Sequence, residues 1–423
     1  MRHRARKSGG LGSLLLVVLL LTACGSGDGS EDIAWQPYVS PTAISASPTM
    51  TASHASPIVP TVDVSRRLSE AELQTYQPNE LGRIPIPMYH AFVLDDQAKT
   101  SPDGGDDLDE WTRTLSEFRE DLQWYYDRDF YVISMRSYLE NDIRVPAGKH
   151  PLVLTFDDGS TRQAMWLKDK HGKIIADPDS ALGVMEAFYA EHPDFGRGGY
   201  FAVLVFNCFD NPNGPAEMAD CPTRLNWMID HGYEIGNHTD GHQDLTDISD
   251  DEFLYQIGHP ILWFRANIEE KGDLSDVLTL PYGAYPDRDL HPDQWEWLVG
   301  GFDYHGRQVN LQGILQVNGG PSPSPSSITF DRYGIYRFNT DPDVLSYWHE
   351  AIDNGDVKLY TSDGNPDIVT VPEDQAAYLN TAELDDQGKD IVLYTPSATP
   401  SATPHASARP MLSITMIDRR PRG

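Results

Sequence analysis

Leu152-Val153-Leu154-Thr155-Phe156-Asp157-Asp158-Gly159 is an apolar run that stops on two carboxylates and a glycine. Leu152 to Phe156 reads as a buried strand. Adjacent strand side chains point to opposite faces, so two consecutive carboxylates can serve one site only where the strand ends, and Gly159 supplies that end. Carboxylates this close repel, which raises one pKa unless a cation keeps both ionised. An Asp-Asp-Gly turn with no function reads equally well from these residues alone.

The same register recurs along the chain. Ile84 to Tyr89, Tyr131 to Ser134, Tyr200 to Phe206, Tyr233 to Gly236, Val277 to Leu280 and Ile335 to Phe338 also read as strands. Helical patterns lie between them, such as Leu115 to Asp127 with Leu115, Phe118, Leu122 and Tyr125 on one stripe. Ser249 with Glu252 reads as a capping box that opens another helix. Sustained strand–helix alternation implies an α/β fold with a parallel sheet, either a barrel or doubly wound. The polar residues that follow the apolar strands favour the barrel. His90 follows IPIPMY, Asp157 and Asp158 follow LVLTF, His238 follows YEIGN, and Pro281-Tyr282-Gly283 follows VLTL. In a (β/α) barrel all of these crowd the C-terminal rim, where active sites lie.

His238-Thr239-Asp240-Gly241-His242 sharpens the chemistry. Two His at i and i+4 lie on one side of a helical turn and can reach one metal ion. Such a pair in a surface loop also occurs without function. With Asp158 they make three ligands and leave positions open for water and substrate. Zinc is the first expectation for the ion, with Co, Ni or Fe able to replace it.

The chain of 423 residues carries 32 Lys and Arg against 64 Asp and Glu, a formal charge of -32. That balance speaks against nucleic acid, whose binding depends on clustered cations that release counterions. Hydrophobic residues at 39% are enough for a core. Residues 1–23 read as an export signal: Arg2, Arg4, Arg6 and Lys7 precede the apolar run Leu14 to Leu21. Leu21-Thr22-Ala23-Cys24 resembles a bacterial lipobox, so Cys24 is the expected lipid anchor, the chain an exported surface lipoprotein, and the membrane a partner through that lipid. An ordinary cleaved signal is the alternative. Cys208 and Cys221 remain as an expected disulfide pair in an oxidising compartment, where closing their loop is worth about 3 kcal/mol, with two unpaired thiols as the alternative. Ser, Thr and Pro dominate a tether over 24–75 and a tail over 395–423. Between them lie a domain at 76–355 and an extension at 356–394 that caps the barrel or forms a small appendage. The expected state is a monomer.

TFDDG (Thr155 to Gly159), HTDGH (His238 to His242) and LPYG (Leu280 to Gly283) resemble, in order and spacing, the motifs of the polysaccharide deacetylases, carbohydrate esterase family four. The opening PIPMYH and the segment FREDLQWYYDRDFYVIS add to the resemblance, which covers about Leu81 to Gly355. It implies a distorted (β/α) barrel of about seven strands. It makes Asp157 the general base, Asp158, His238 and His242 the metal ligands, and the backbone N–H of Tyr282 an oxyanion donor. The family's late Leu-x-His motif is missing, and His349 is better read as an ordinary surface or core His. The permuted poly-N-acetylglucosamine deacetylases are the more similar subgroup, in which the early-strand His, here His90, takes the acid role. A rim histidine that is merely hydrogen-bonded is the other reading of His90. Thr279 stands where many members carry an Arg that orients the base. Asp303, His305 and Arg307 are possible replacements, though a solvated loop accounts for them equally well, and Arg337, near a strand end, is open to the same two readings.

The resemblance implies hydrolysis of N-acetyl groups on an acetylated amino-sugar polysaccharide, such as poly-N-acetylglucosamine, peptidoglycan or a chitin-like polymer. O-deacetylation of xylan or another glycan and a non-catalytic glycan-binding lipoprotein are the alternatives. Pro281, Tyr282, Tyr285 and Trp295 are expected against the sugar, with Trp166 and Trp297 as further aromatic candidates. For each Trp, packing of a helix on the barrel competes with that role. The polar insertion from Thr161 to Pro178 is a possible lid.

Overall fold

The computed structural model describes residues 66–96, 111–210 and 213–397. The signal segment, Cys24, the tether up to residue 65 and the tail from residue 398 lie outside the described residues.

Seven short strands close an all-parallel barrel: β1 (Pro87–Tyr89), β2 (Thr155–Asp158), β3 (Tyr200–Val203), β4 (Glu234–Asn237), β5 (Asp273–Thr279), β6 (Gly313–Gly319) and β7 (Ile335–Asn339). Each strand pairs with the next in sequence, and β7 returns to β1 with Phe338 opposite Pro87. The flanking helices include α1 (Leu115–Tyr126), α2 (Ala181–Glu191), α3 (Cys221–Asp230), α4 (Asp250–Asn267), α5 (Pro292–Gly300) and α6 (Pro342–Asp353). The α/β barrel of seven strands expected from the sequence is the fold observed.

Alternation along the strands divides the interior from the helical shell. Phe156 on β2 and Phe201 on β3 stack on each other at 4.5 Å and join Leu122, Met185 and Met228 from α1, α2 and α3 in the largest apolar cluster. Their neighbours turn the other way, into a lumen where the apolar Ala202, Val277, Leu315 and Ile335 share space with polar side chains. Tyr200 donates its hydroxyl to the Val277 carbonyl at 2.9 Å, and Arg337 reaches Thr155 and Asp157. The Tyr200 ring lies so close to β4 that a Cβ on Gly236 would sit 1.9 Å from its hydroxyl oxygen, so only glycine fits there.

The C-terminal extension covers the end of the barrel opposite the Asp157–Asp158 rim. Its parallel ladder, Ile368–Pro372 with Asp390–Tyr394, buries Val369, Val371, Leu379 and Leu384 against Leu81. Glu80, just upstream of β1, is buried and accepts the N–H groups of Asp363 and Thr370.

Three local readings need correction. Tyr131 to Ser134 is not a barrel strand: Phe130–Val132 pairs with His150–Leu152 outside the closed sheet. Its apolar run is explained by burial beneath helices, which says nothing about sheet membership. The seventh barrel strand is instead Gly313–Gly319, a glycine-bounded segment whose interleaved Gln316 and Asn318 weaken its apolar signal. At α4, Ser249 caps the helix by accepting the Glu252 N–H, yet the Glu252 carboxylate accepts from Gln256 instead of closing the box. In addition, Glu70–Tyr76, which composition places in the tether, forms a helix with a complete Ser69/Glu72 capping box.

Candidate active site

The rim collects the motif residues because each follows or ends a barrel strand. Asp157 and Asp158 end β2, His90 follows β1, His238 follows β4, and Pro281 lies just beyond β5. Asp158 takes a left-handed backbone (φ 78°), as does Gly159 (φ 69°). That twist cancels the strand alternation and lets two successive carboxylates serve one site.

Asp157 is buried and gripped by Arg337 of β7 in a two-pronged pair, with Nη1–Oδ1 at 2.7 Å and Nη2–Oδ2 at 2.8 Å. Arg337 is itself fully buried and fixed by Nε donating to the Gln316 carbonyl at 2.7 Å. Burial alone would raise the Asp157 pKa, but the Arg337 charge holds it below the usual carboxylate range. This guanidinium fills the orienting role left open by Thr279. Asp303, His305 and Arg307 are exposed on the hairpin Phe302–Tyr304/Arg307–Val309, away from Asp157.

On the other side of Asp157, His90 Nε2 stands 3.7 Å from Oδ2. Its ring meets Trp111 edge-on at 4.7 Å, and its Nδ1 is buried with no hydrogen-bond partner. Burial draws the His90 pKa below its ordinary value, against the opposing pull of Asp157 and Asp158. Gln163, fully buried, ties β1 to β2 by donating to the carbonyls of His90 and Asp157.

Asp158, His238 and His242 offer ligand atoms that all lie within 4.8 Å of one another. His238 Nε2 is 3.2 Å and His242 Nε2 3.5 Å from Asp158 Oδ1. The two His do not share a helical turn: residues 238–242 form an irregular loop with Thr239 (φ 68°) and His242 (φ 54°) left-handed. The His242 N–H donates to Thr239 Oγ1 and the Thr239 N–H to Asn237 Oδ1, and these bonds supply the curvature a helix would have given. From behind, Gln256 of α4 accepts the Gly241 N–H at 2.8 Å, and His259 holds Asp240 at 2.6 Å.

The donor set fits a divalent cation. His238 Nδ1 faces the Thr279 carbonyl at 3.0 Å and must carry the proton there, because a carbonyl only accepts. The neutral ring's lone pair is then on Nε2, which is buried and has no hydrogen-bond partner. A buried unpaired nitrogen aimed at a carboxylate and a second imidazole is what a cation ligand requires and what a packing histidine avoids.

The aromatic candidates divide. Tyr282 (φ 58°) is 68% exposed, and its ring lies edge-on to that of His242 at 4.6 Å. Pro281 is buried beneath it. Tyr285 and Trp295 pack on each other at 5.4 Å, the Tyr285 hydroxyl donates to the Tyr333 carbonyl, and Arg288 covers Trp295 at 3.5 Å. Trp166, fully buried against Phe209 and Trp227, is core, and Trp297 packs against Phe253. The insertion that carries Trp166 folds as a hairpin, Trp166–Lys168 with Ile174–Ala176. His349 stacks on Trp124 at 3.5 Å between α1 and α6, outside the barrel. Cys208 and Cys221 are joined by a disulfide. Gln163, Trp111 and the exposed Phe206 were not picked out from the sequence, since each lies outside a motif and only the closed rim brings them near it.

A polysaccharide deacetylase family model matches residues 207–291. No curated protein matches the chain. Among solved structures, the chain is similar to the Streptococcus pyogenes deacetylase PplD in complex with acetate (18% identity, 62% of this chain and 94% of that one, TM-score 0.41). It is also similar to BC0361, a polysaccharide deacetylase from Bacillus cereus (15%, 64% and 69%, TM-score 0.43). IcaB from Ammonifex degensii is a third such structure (15%, 64% and 98%, TM-score 0.40). The match to the polysaccharide deacetylase family model spans the segment that supplies His238, His242 and Tyr282.

Proposed function

We propose that this protein is a metal-dependent hydrolase that removes N-acetyl groups from an amino-sugar polysaccharide of the cell envelope or matrix. The observation that carries the reading is the group Asp158, His238 and His242 beside an Asp157 held ionised by Arg337. Zinc is the expected ion, and Co, Ni or Fe suit the same donors. A divalent cation held by these three residues supplies Lewis-acid polarisation of the acetyl carbonyl and makes water acidic enough to attack at neutral pH.

The chain's own residues do the rest. Asp157, its plane fixed by the Arg337 fork, is the acceptor for the proton of the attacking water. His90, next to Asp157, delivers a proton to the nitrogen, which cannot leave as an anion. The Tyr282 N–H faces the developing oxyanion, and loss of such a donor costs about 3 kcal/mol of transition-state stabilisation. The exposed ring of Tyr282 offers a face for the sugar. The basic and apolar run before Cys24 supports export and lipid anchoring at the outer face of the membrane, with the domain acting as a monomer.

The test is acetate release from N-acetylglucosamine oligomers and from acetylated xylan by the purified chain, with and without chelator. Chelator-sensitive release from the oligomers is expected. If the chain holds no metal and none restores activity, the hydrolase reading fails. One observation favours a second reading, O-acetyl ester hydrolysis: burial depresses the pKa of His90, and an ester's leaving group depends less on an acid.

A further inference from the structure

The loop after β3 holds the backbone that aims Asp158. Asn207 Nδ2 donates to the Asp158 carbonyl at 3.0 Å, and the Phe209 N–H donates to the Gly159 carbonyl at 2.7 Å. Asp158 and Gly159 are both left-handed, and so are Cys208 (φ 31°) and Phe209 (φ 55°). Asp158, Cys208 and Phe209 are not glycine and need support from outside, because such backbone persists only where its surroundings over-determine it. Two anchors supply that support. The Cys208–Cys221 disulfide fastens the loop to the first residue of α3. Arg224 of the same helix, buried, donates Nε to the Cys208 carbonyl at 3.0 Å and Nη1 to the carbonyls of Met218 and Ala219. α3 in turn is set in the main core through Leu225, Met228 and Ile229.

We propose that Asn207 and the disulfide-bonded loop are positioning elements for the cation site, fixing the turn that presents Asp158 to His238 and His242. This rests on the reading of Asp158 as a cation ligand. Groups that orient a ligand from behind commonly change metal affinity about 10- to 100-fold when removed. Reduction by a small dithiol opens the brace: two electrons and two protons pass from the dithiol, which closes to its own disulfide, and Cys208 and Cys221 become thiols. Cys208 is buried, but Cys221 is partly open to solvent and gives the reductant its point of attack.

The test uses the full chain in oxidised form, in reduced form, and as Asn207→Ala with the disulfide intact. Zinc affinity is measured by competition with a chromogenic chelator, ligand geometry by the visible spectrum of the Co2+-loaded protein, and loop order by exchange of the Phe209 amide in metal-free protein. The expected result is zinc binding about ten-fold weaker or worse in both altered forms, with a changed Co2+ spectrum and faster Phe209 exchange on reduction. Far-ultraviolet circular dichroism should show the barrel retained. Equal zinc affinity and an unchanged Co2+ spectrum in all three forms would overturn the proposal. So would Phe209 exchange that reduction leaves unaltered, and this readout is independent of any metal. An oxidised chain that binds neither Zn2+ nor Co2+ overturns the functional reading and the proposal together, whereas zinc bound equally well in all three forms overturns the proposal alone.

Discussion

Asp157 and Arg337 are a buried ion pair that costs more to break than to lack, because removing one partner strands the other charge in a dry lumen. Arg337→Leu is expected to lose about 3–5 kcal/mol, measured by urea unfolding of metal-free protein. A loss under about 1 kcal/mol would mean the pair is no more than a surface-grade contact. Arg337→Lys keeps the charge without the fork, so it should keep most of the stability while kcat falls and KM stays near its parent value. The depressed Asp157 pKa means this carboxylate contributes stability above the unfolded value near 3.8 and loses it only as pH falls further, through the folded value. His90 separates two chemistries. His90→Ala should lower the amide rate by about 10²- to 10⁴-fold and the rate on an acetyl ester far less. Equal losses on both substrates would remove the acid assignment and leave His90 as a buried ring beside Trp111.

Helices α1 and α6 meet through a histidine that cannot afford its proton. His349 stacks flat on Trp124 with Tyr125 edge-on, while Arg128 lies over Trp124 at 4.0 Å and pairs with Asp353. Burial, then the Arg128 charge, draws its pKa from 6.5 down to about 4. A folded pKa below the unfolded one means the unfolded chain binds more protons between those values. The stability of this contact is therefore full above pH 6.5 and drains as pH falls toward about 4. The urea midpoint should fall less between pH 7 and pH 5 in His349→Gln than in the parent. An equal fall in both would show that another group governs the acid response. The contrast between His349 and His238 is one of environment: His349 is placed among aromatic rings, whereas His238 is held by one carbonyl with its other nitrogen facing Asp158.

Across the whole molecule, the two ends of the barrel do different work. The C-terminal rim gathers the polar side chains, and the opposite end is sealed by the extension, which satisfies Glu80, covers Leu81 and bridges Arg83 through Leu359. Deleting residues 357–397 should leave Glu80 without its N–H donors and abolish cooperative unfolding, checked by circular dichroism against temperature; a truncated chain with the parent's transition would show the extension to be dispensable. Much of this plan is local and so readable from the chain alone. An apolar run that ends in polar residues states where a strand stops, so Asp157, Asp158, His90, His238 and Pro281 could be assigned to one rim before any contact was known. Motif spacing likewise singled out the three residues, Asp158, His238 and His242, whose ligand atoms meet within 4.8 Å. Which residue steadies Asp157 could not be read, because Arg337 lies 180 positions away and reaches it only across a closed barrel. Nor could the loop conformation of His238 to His242, the burial of Trp166, the exclusion of Tyr131 to Ser134 from the sheet, or the grip of Asn207 on Asp158. Each of these depends on backbone twist and on neighbours distant in sequence, quantities that arise only when the seventh strand meets the first.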